Sequence, residues 1–159
     1  MDTTTKKTII VFSGDLDKAM AAFIIANGAA AMGDDVTMFF TFWGLNILRK
    51  TAPPHHKKSF LQGMFGGMMP KGPAQLGISK MNFWGMGATM MRRVMRQQNV
   101  TSLQELIATA KEQGIKMIAC TMSMDVLGFN EDELIDGLEF AGVATYLGEA
   151  DEANVNLFI

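Results

Sequence analysis

The chain has one cysteine, two histidines and one tyrosine among 159 residues. A single cysteine closes no disulfide within the chain and leaves no resolving partner for a dithiol reductase. The histidines, His55 and His56, stand side by side in the proline turn "TAPPHH". Nothing in the sequence specifies the orienting group and oxyanion hole that a Cys-His protease or acyltransferase needs. The longest apolar stretch, Ala19 to Met32, is interrupted by Asn27 and Gly28. It falls short of the ~20 apolar residues that span a bilayer and reads as a buried helix. "MDTTTKK" leads straight into an apolar run with no secretory leader, so an intracellular, reducing, cytoplasmic location is expected.

Acid is missing from the middle of the chain. No Asp or Glu occurs from Val36 to Gln104, where nine Lys or Arg fall. Residues 1–35 hold five acids and three bases, and residues 105–159 hold eleven acids and two bases. Either these surfaces pair between segments or subunits, or the basic stretch meets an anion, an acidic protein or an anionic membrane.

What is abundant is apolar: 48% of residues are hydrophobic and the mean hydropathy is +0.15. That favours one core-rich α/β domain with some apolar surface covered in a homo-oligomer. Thr8 to Phe12 suits a strand buried on both faces. Ser13, Gly14 and Asp15 form a turn able to cap a helix, in which Leu16, Met20, Phe23, Asn27 and Ala31 recur until Gly33. "DVTMFFTF" and "IKMIAC" read as the second and third strands. "WGLNILRK" begins a helix stopped by Pro53 and Pro54. "MNFWGMGATMMRRVMRQQNV" is helical, with Phe83, Met86, Met90 and Val94 on one face. Ser102 and Glu105 have capping-box spacing ahead of another helix. "NEDELIDGLEFAG" reads as a helix capped by Asn130, and "GVATYLG" and "NVNLFI" as the last strands. This alternation predicts a parallel sheet with helices on both faces. Residues 59–80 hold five glycines, two prolines and three methionines without a clear period. The expectation is one domain over 1–159 carrying a mobile, basic, Gly/Met-rich insertion at about 57–82.

"KMIAC" places Cys120 at the carboxyl end of a strand, where catalytic groups of parallel sheets collect. Thr121, Ser123 and Asp125 can cap a helix or tight turn after it, and unpaired backbone N–H groups there favour a thiolate. Asp125 opposes this, since a carboxylate disfavours a second negative charge nearby. Position alone leaves two readings: a reactive thiolate, or an inert core thiol. "SGDLDK", with Ser13 and Asp15, opens a helix after a strand, where phosphate-binding loops occur. It matches neither G-x-G-x-x-G nor G-x-x-x-x-G-K-S/T. Of fifteen methionines, eight lie between Met64 and Met95. Met122 and Met124 beside Cys120 have the softness for Cu(I), but no repeated ligand pattern accompanies them. Adaptable packing is the better account, and no metal or cofactor is assigned. With Phe65, Phe83 and Trp84, the basic middle suits peripheral contact with an anionic membrane. Its basic residues are too sparse to indicate nucleic acid.

"SGDLDKAMAAFIIANGAAAMG", "VTMFFTFWGLN", "IACTMSMDVLG" and "GVATYLGEADEANVNLFI" together resemble the DsrE/DsrF-like family, in its subgroup with an enlarged central segment. The resemblance covers nearly the whole chain. It implies a three-layer α/β/α domain of flavodoxin-like appearance with a five-stranded, mostly parallel sheet, assembled into oligomers. It implies a persulfide-accepting cysteine at Cys120, with rhodanese-like or TusA-like sulfur-transfer proteins as partners. The expected function is a sulfur carrier or sulfurtransferase, with Thr121, Met122, Ser123, Asp125, Ser13, Asp15 and Trp43 in support. The alternatives are a docking module using the basic segment, or a nucleotide or coenzyme-A site.

Overall fold

A computed structural model describes residues 4–159. Five strands, β1 (Lys6–Val11), β2 (Asp35–Phe40), β3 (Lys116–Cys120), β4 (Glu139–Ala141) and β5 (Val155–Phe158), form one sheet. Their order is β4-β3-β2-β1-β5, and every pairing is parallel. The helices are α1 (Leu16–Ala31), α2 (Phe60–Met68), α3 (Met86–Gln97), α4 (Leu103–Glu112), α5 (Thr121–Leu127) and α6 (Val143–Asp151). Among the described residues, no helix is long and apolar enough to cross a membrane.

Side chains alternate along each strand, so the sheet builds two cores. Ile9, Val11, Val36, Met38, Phe40, Met117 and Ala119 join α1 and α4 in the larger one. Phe39, Ile118 and Cys120 project to the opposite face, where Tyr146 of α6 completes a small cluster flanked by Ile10. Alanines 19, 22, 26 and 29 keep the buried face of α1 shallow, and α4 packs along it. Asn27 sits in that seam and donates through Nδ2 to the Leu106 carbonyl at 2.9 Å.

The third strand and the Ser102–Glu105 capping box form as expected, Glu105 N–H donating to Ser102 Oγ at 3.3 Å. Four stretches differ from the sequence reading. Asn130 N–H does donate to Glu133 Oε2, at 2.7 Å, but the helix is a single 3-10 turn, Glu131–Glu133. The chain then bends through Gly137, at φ 86°, into β4. "GVATYLG" is not a strand but the start of α6. The reason is topological: β4 and β5 are parallel and lie at opposite edges, so their connection must cross a face of the sheet, and a helix makes that crossing. "FWGLNIL" winds as a 3-10 helix, Phe42–Leu48, rather than an α-helix. Residues 60–68 form α2 despite three glycines, with Ser59 accepting from Gln62 N–H at 3.3 Å and Gln62 Nε2 donating to the Asp125 carbonyl at 3.0 Å. Tertiary bonds there outweigh weak propensity.

Gly44 is the tightest backbone contact between the first two strand ends. Its N–H donates to the Phe12 carbonyl at 2.9 Å, and an added Cβ would lie 2.0 Å from the Val11 carbonyl oxygen. Gly44→Ala should therefore lower unfolding free energy by about 1–3 kcal/mol through overpacking. Gly28→Ala, in mid-α1 with nothing within 4 Å of the new methyl, should raise it by about 1 kcal/mol. Urea unfolding midpoints moving in opposite directions check both.

Candidate functional site

In an all-parallel sheet, the carboxyl ends of the strands line one edge. The segments leaving β1, β2 and β3 meet there. Beside Gly14 an added Cβ would stand 2.6 Å from the Trp43 carbonyl oxygen, so the first two turns touch through bare backbone. Thr41 Oγ1 and Ser123 Oγ are 2.8 Å apart, joining the end of β2 to α5. Phe42 holds φ at 47°, a left-handed conformation that a bulky residue adopts only when its surroundings impose it. The Phe12 ring stands 5.7 Å from both Phe42 and Phe158.

Cys120 is the last residue of β3 and the residue before α5. Of the two readings that its position leaves, the reactive thiolate calls for a sulfur facing unpaired backbone N–H groups. Instead the residue is 3% exposed, packed with Phe39, Ile118 and Tyr146, and its sulfur makes no capping hydrogen bond to α5. The reason lies in strand alternation, which aims position 120 at the α6 face and into that small cluster. The Tyr146 ring is stacked on Phe39 with centroids 5.0 Å apart, and its hydroxyl lies 3.2 Å from Thr8 Oγ1.

Of the other expected residues, Ser123 is fully buried, Thr121 is half-buried, and Met122 and Asp125 are exposed. Ser13 and Asp15 bond each other: the Ser13 hydroxyl donates to Asp15 Oδ2, and the Asp15 N–H donates to Ser13 Oγ, each at 3.1 Å. Asp15 stands at the N-cap position of α1 but its carboxylate makes no capping bond; the Leu16 N–H donates to the Gly77 carbonyl at 2.7 Å. Trp43 is 43% exposed and, with Phe42, Leu61, Phe65, Val126 and Leu127, lines an apolar cavity of about 700 Å³. The structure thus gathers Cys120, Ser123, Trp43 and the Ser13–Asp15 turn on one edge. His56 is engaged elsewhere, with Nε2 2.8 Å from Asp132. Thr41, Phe42 and Tyr146 escaped the sequence reading. The one signal for Tyr146 was its being the only tyrosine.

Residues 3–158 match the sequence pattern of the DsrE/DsrF/DrsH-like family. The chain belongs to that family. It is 58% identical over 156 residues to the uncharacterized protein YrkE of Bacillus subtilis (strain 168), covering 98% of each chain. It is 39% identical over 158 residues to the sulfur carrier protein DsrE2 of Allochromatium vinosum, covering 97% of this chain and 98% of that one. Two solved structures share the fold. One is the YchN protein of E. coli, with TM-score 0.58 and 11% identity over 98% of this chain and 100% of that one. The other is MTH1491, titled a protein of unknown function, from Methanobacterium thermoautotrophicum, with TM-score 0.59 and 12% identity over 98% and 99%.

If the buried cluster that Tyr146 completes seals the thiol, removing the Tyr146 ring should loosen it and open the site. Tyr146→Ala is expected to speed iodoacetamide labelling of native Cys120 by about tenfold or more, while costing about 3 kcal/mol of stability. Tyr146→Phe, which keeps the ring, should label like wild type. Intact mass against time under native conditions reads the rates; equal rates for all three proteins would place the barrier elsewhere.

Proposed function

We propose that this protein is a cytoplasmic sulfur carrier that holds a persulfide on Cys120. The observation that carries this reading is the placement of the chain's only thiol, at the β3–α5 junction on the carboxyl edge of the sheet. Family membership and the 39% identity to a protein named a sulfur carrier support a sulfur-relay role. The Cys120 thiolate attacks the outer sulfur of a donor persulfide. A new S–S bond forms on Cys120 as the donor's S–S bond breaks, and the donor leaves as a thiolate. An acceptor thiolate then takes the same outer sulfur by the same exchange, returning Cys120 to thiolate. No net oxidation occurs. The donor and acceptor are proteins of the rhodanese-like and TusA-like kinds.

Loading requires the α6 side of the sheet to open and uncover the buried thiol. Thr121 and Ser123 flank the opened sulfur, and the Thr41–Ser123 bond holds α5 against β2 while it opens. Exposed Val143, Leu147 and Phe158 support self-association on the α6 side of the sheet. Incubation with thiosulfate and a rhodanese, or with polysulfide, should add one sulfur atom to the intact mass. Cys120→Ser should add none; an adduct that survives this substitution, or none with any donor, would sink the reading.

A second reading has its own observation. Met86, Met90 and Val94 form a stripe on α3 that is 65%, 66% and 51% exposed, with Trp84 fully exposed just before it. Arg93 and Arg96 are also exposed on α3, in the stretch that contains no acid. Apolar and aromatic groups flanked by cations suit the surface of an anionic bilayer. Sedimentation with phosphatidylserine-containing vesicles, lost on Trp84→Ala with Arg93→Gln and absent with neutral vesicles, is the expected result.

A further inference from the structure

Arg49 ends the 3-10 helix after β2 and is only 3% exposed. Its Nη1 donates to the carbonyls of Met69 and Pro70, and its Nη2 to that of Gly66, each at 3.2 Å. Its Nε has no partner among the described residues. The guanidinium carbon lies 4.5 Å from the centre of the Phe129 ring. Carbonyl dipoles and a π face orient this cation without cancelling its charge. Burial pushes its pKa below the ordinary value, with Glu133 drawing it only part of the way back.

Beside Arg49 lies a cavity of about 530 Å³, and its wall is basic. Arg49, Lys58 and Lys71 contribute cations, and Glu133 contributes the one carboxylate. That carboxylate is already engaged: Lys58 Nζ donates to both its oxygens, at 2.6 and 2.8 Å. Lys71 forms no ion pair among the described residues. Gly66 and Gly67 present bare backbone to the space, and a Cβ added at either would meet nothing within 4 Å. Tying α2 to the strand end accounts for the three carbonyl bonds of Arg49. It does not account for an unpaired lysine and an open volume next to a buried charge that is only partly compensated.

We infer that this cavity binds a tetrahedral oxyanion, either a free sulfur oxyanion or the phosphate group of a larger molecule. A dianion supplies the negative charge the wall lacks, and its attraction to Arg49 is strengthened by the low dielectric around that group. The Lys71 ammonium can donate to an oxygen at a tetrahedral corner, while Arg49, held by its carbonyls, acts as a fixed charge behind the wall. The site stands apart from the thiol, so it does not rest on sulfur carriage.

Calorimetric titration of the full chain with sodium thiosulfate and with sodium phosphate, using sodium acetate at matched ionic strength as control, tests the inference. Saturable binding of at least one dianion, with no heat from acetate, is expected. Lys71→Gln should weaken it by about tenfold or more, and Cys120→Ser should leave it unchanged. Arg49→Gln should abolish it, with circular dichroism confirming the fold. Preference for thiosulfate identifies a free sulfur oxyanion. Preference for phosphate, with tighter binding of coenzyme A, identifies a phosphate-bearing metabolite. No heat from either dianion, equal heat from acetate, or affinity untouched by Lys71→Gln would overturn the site.

Discussion

Parallel pairing of all five strands is the constraint on which the rest of this molecule depends. Parallel strands cannot be joined by tight turns, so each return must cross the sheet. Every carboxyl end therefore arrives at the same edge, and the segments leaving those ends must share it. Glycines at 14 and 44 let the first two press together through backbone alone. The third has no loop: β3 passes into α5 at Cys120. The thiol is held by the geometry of the sheet, not by a flexible connection.

The two faces of the sheet are covered unequally. On one, α1 and α4 lie over a broad core. On the other, the buried cluster is small, and its helical contribution is chiefly Tyr146 of α6. Cys120 points to the thinner side. Susceptibility of a thiol to oxidation follows its exposure and its thiolate character. At 3% exposure Cys120 is shielded from oxidants, and local opening of the α6 side suffices to uncover it.

Much of this was legible in the residues. Strands β1, β2, β3 and β5 declare themselves as short apolar or β-branched runs, and the Ser102–Glu105 spacing marks α4. The fourth strand does not. Glu139–Ala141 is three residues long, begins with a glutamate, and exists because Ile118 to Cys120 offer a free edge to pair with. Val143, Thr145 and Tyr146 favour strands locally, and only the distance between the edge positions of β4 and β5 makes them helical. The location of Cys120 could be read from "KMIAC" and the strand-end rule. Its burial could not, because the tyrosine that completes its cluster lies 26 positions further on. Arg49 was equally opaque: its role depends on carbonyls of a glycine-rich stretch that carries no periodic signal.

Asn27 has a consequence for how α1 and α4 are aligned. The alanine-lined seam between these helices is smooth, and smooth apolar surfaces discriminate poorly between neighbouring axial offsets. One amide reaching one carbonyl is satisfied at a single setting, while its Oδ1 stays unpaired. A slide by one residue strands the donor in a dry interface, where an unmet polar group is expensive. The asparagine thus acts as a dowel, giving up some adhesion to make the docking of two helices unique.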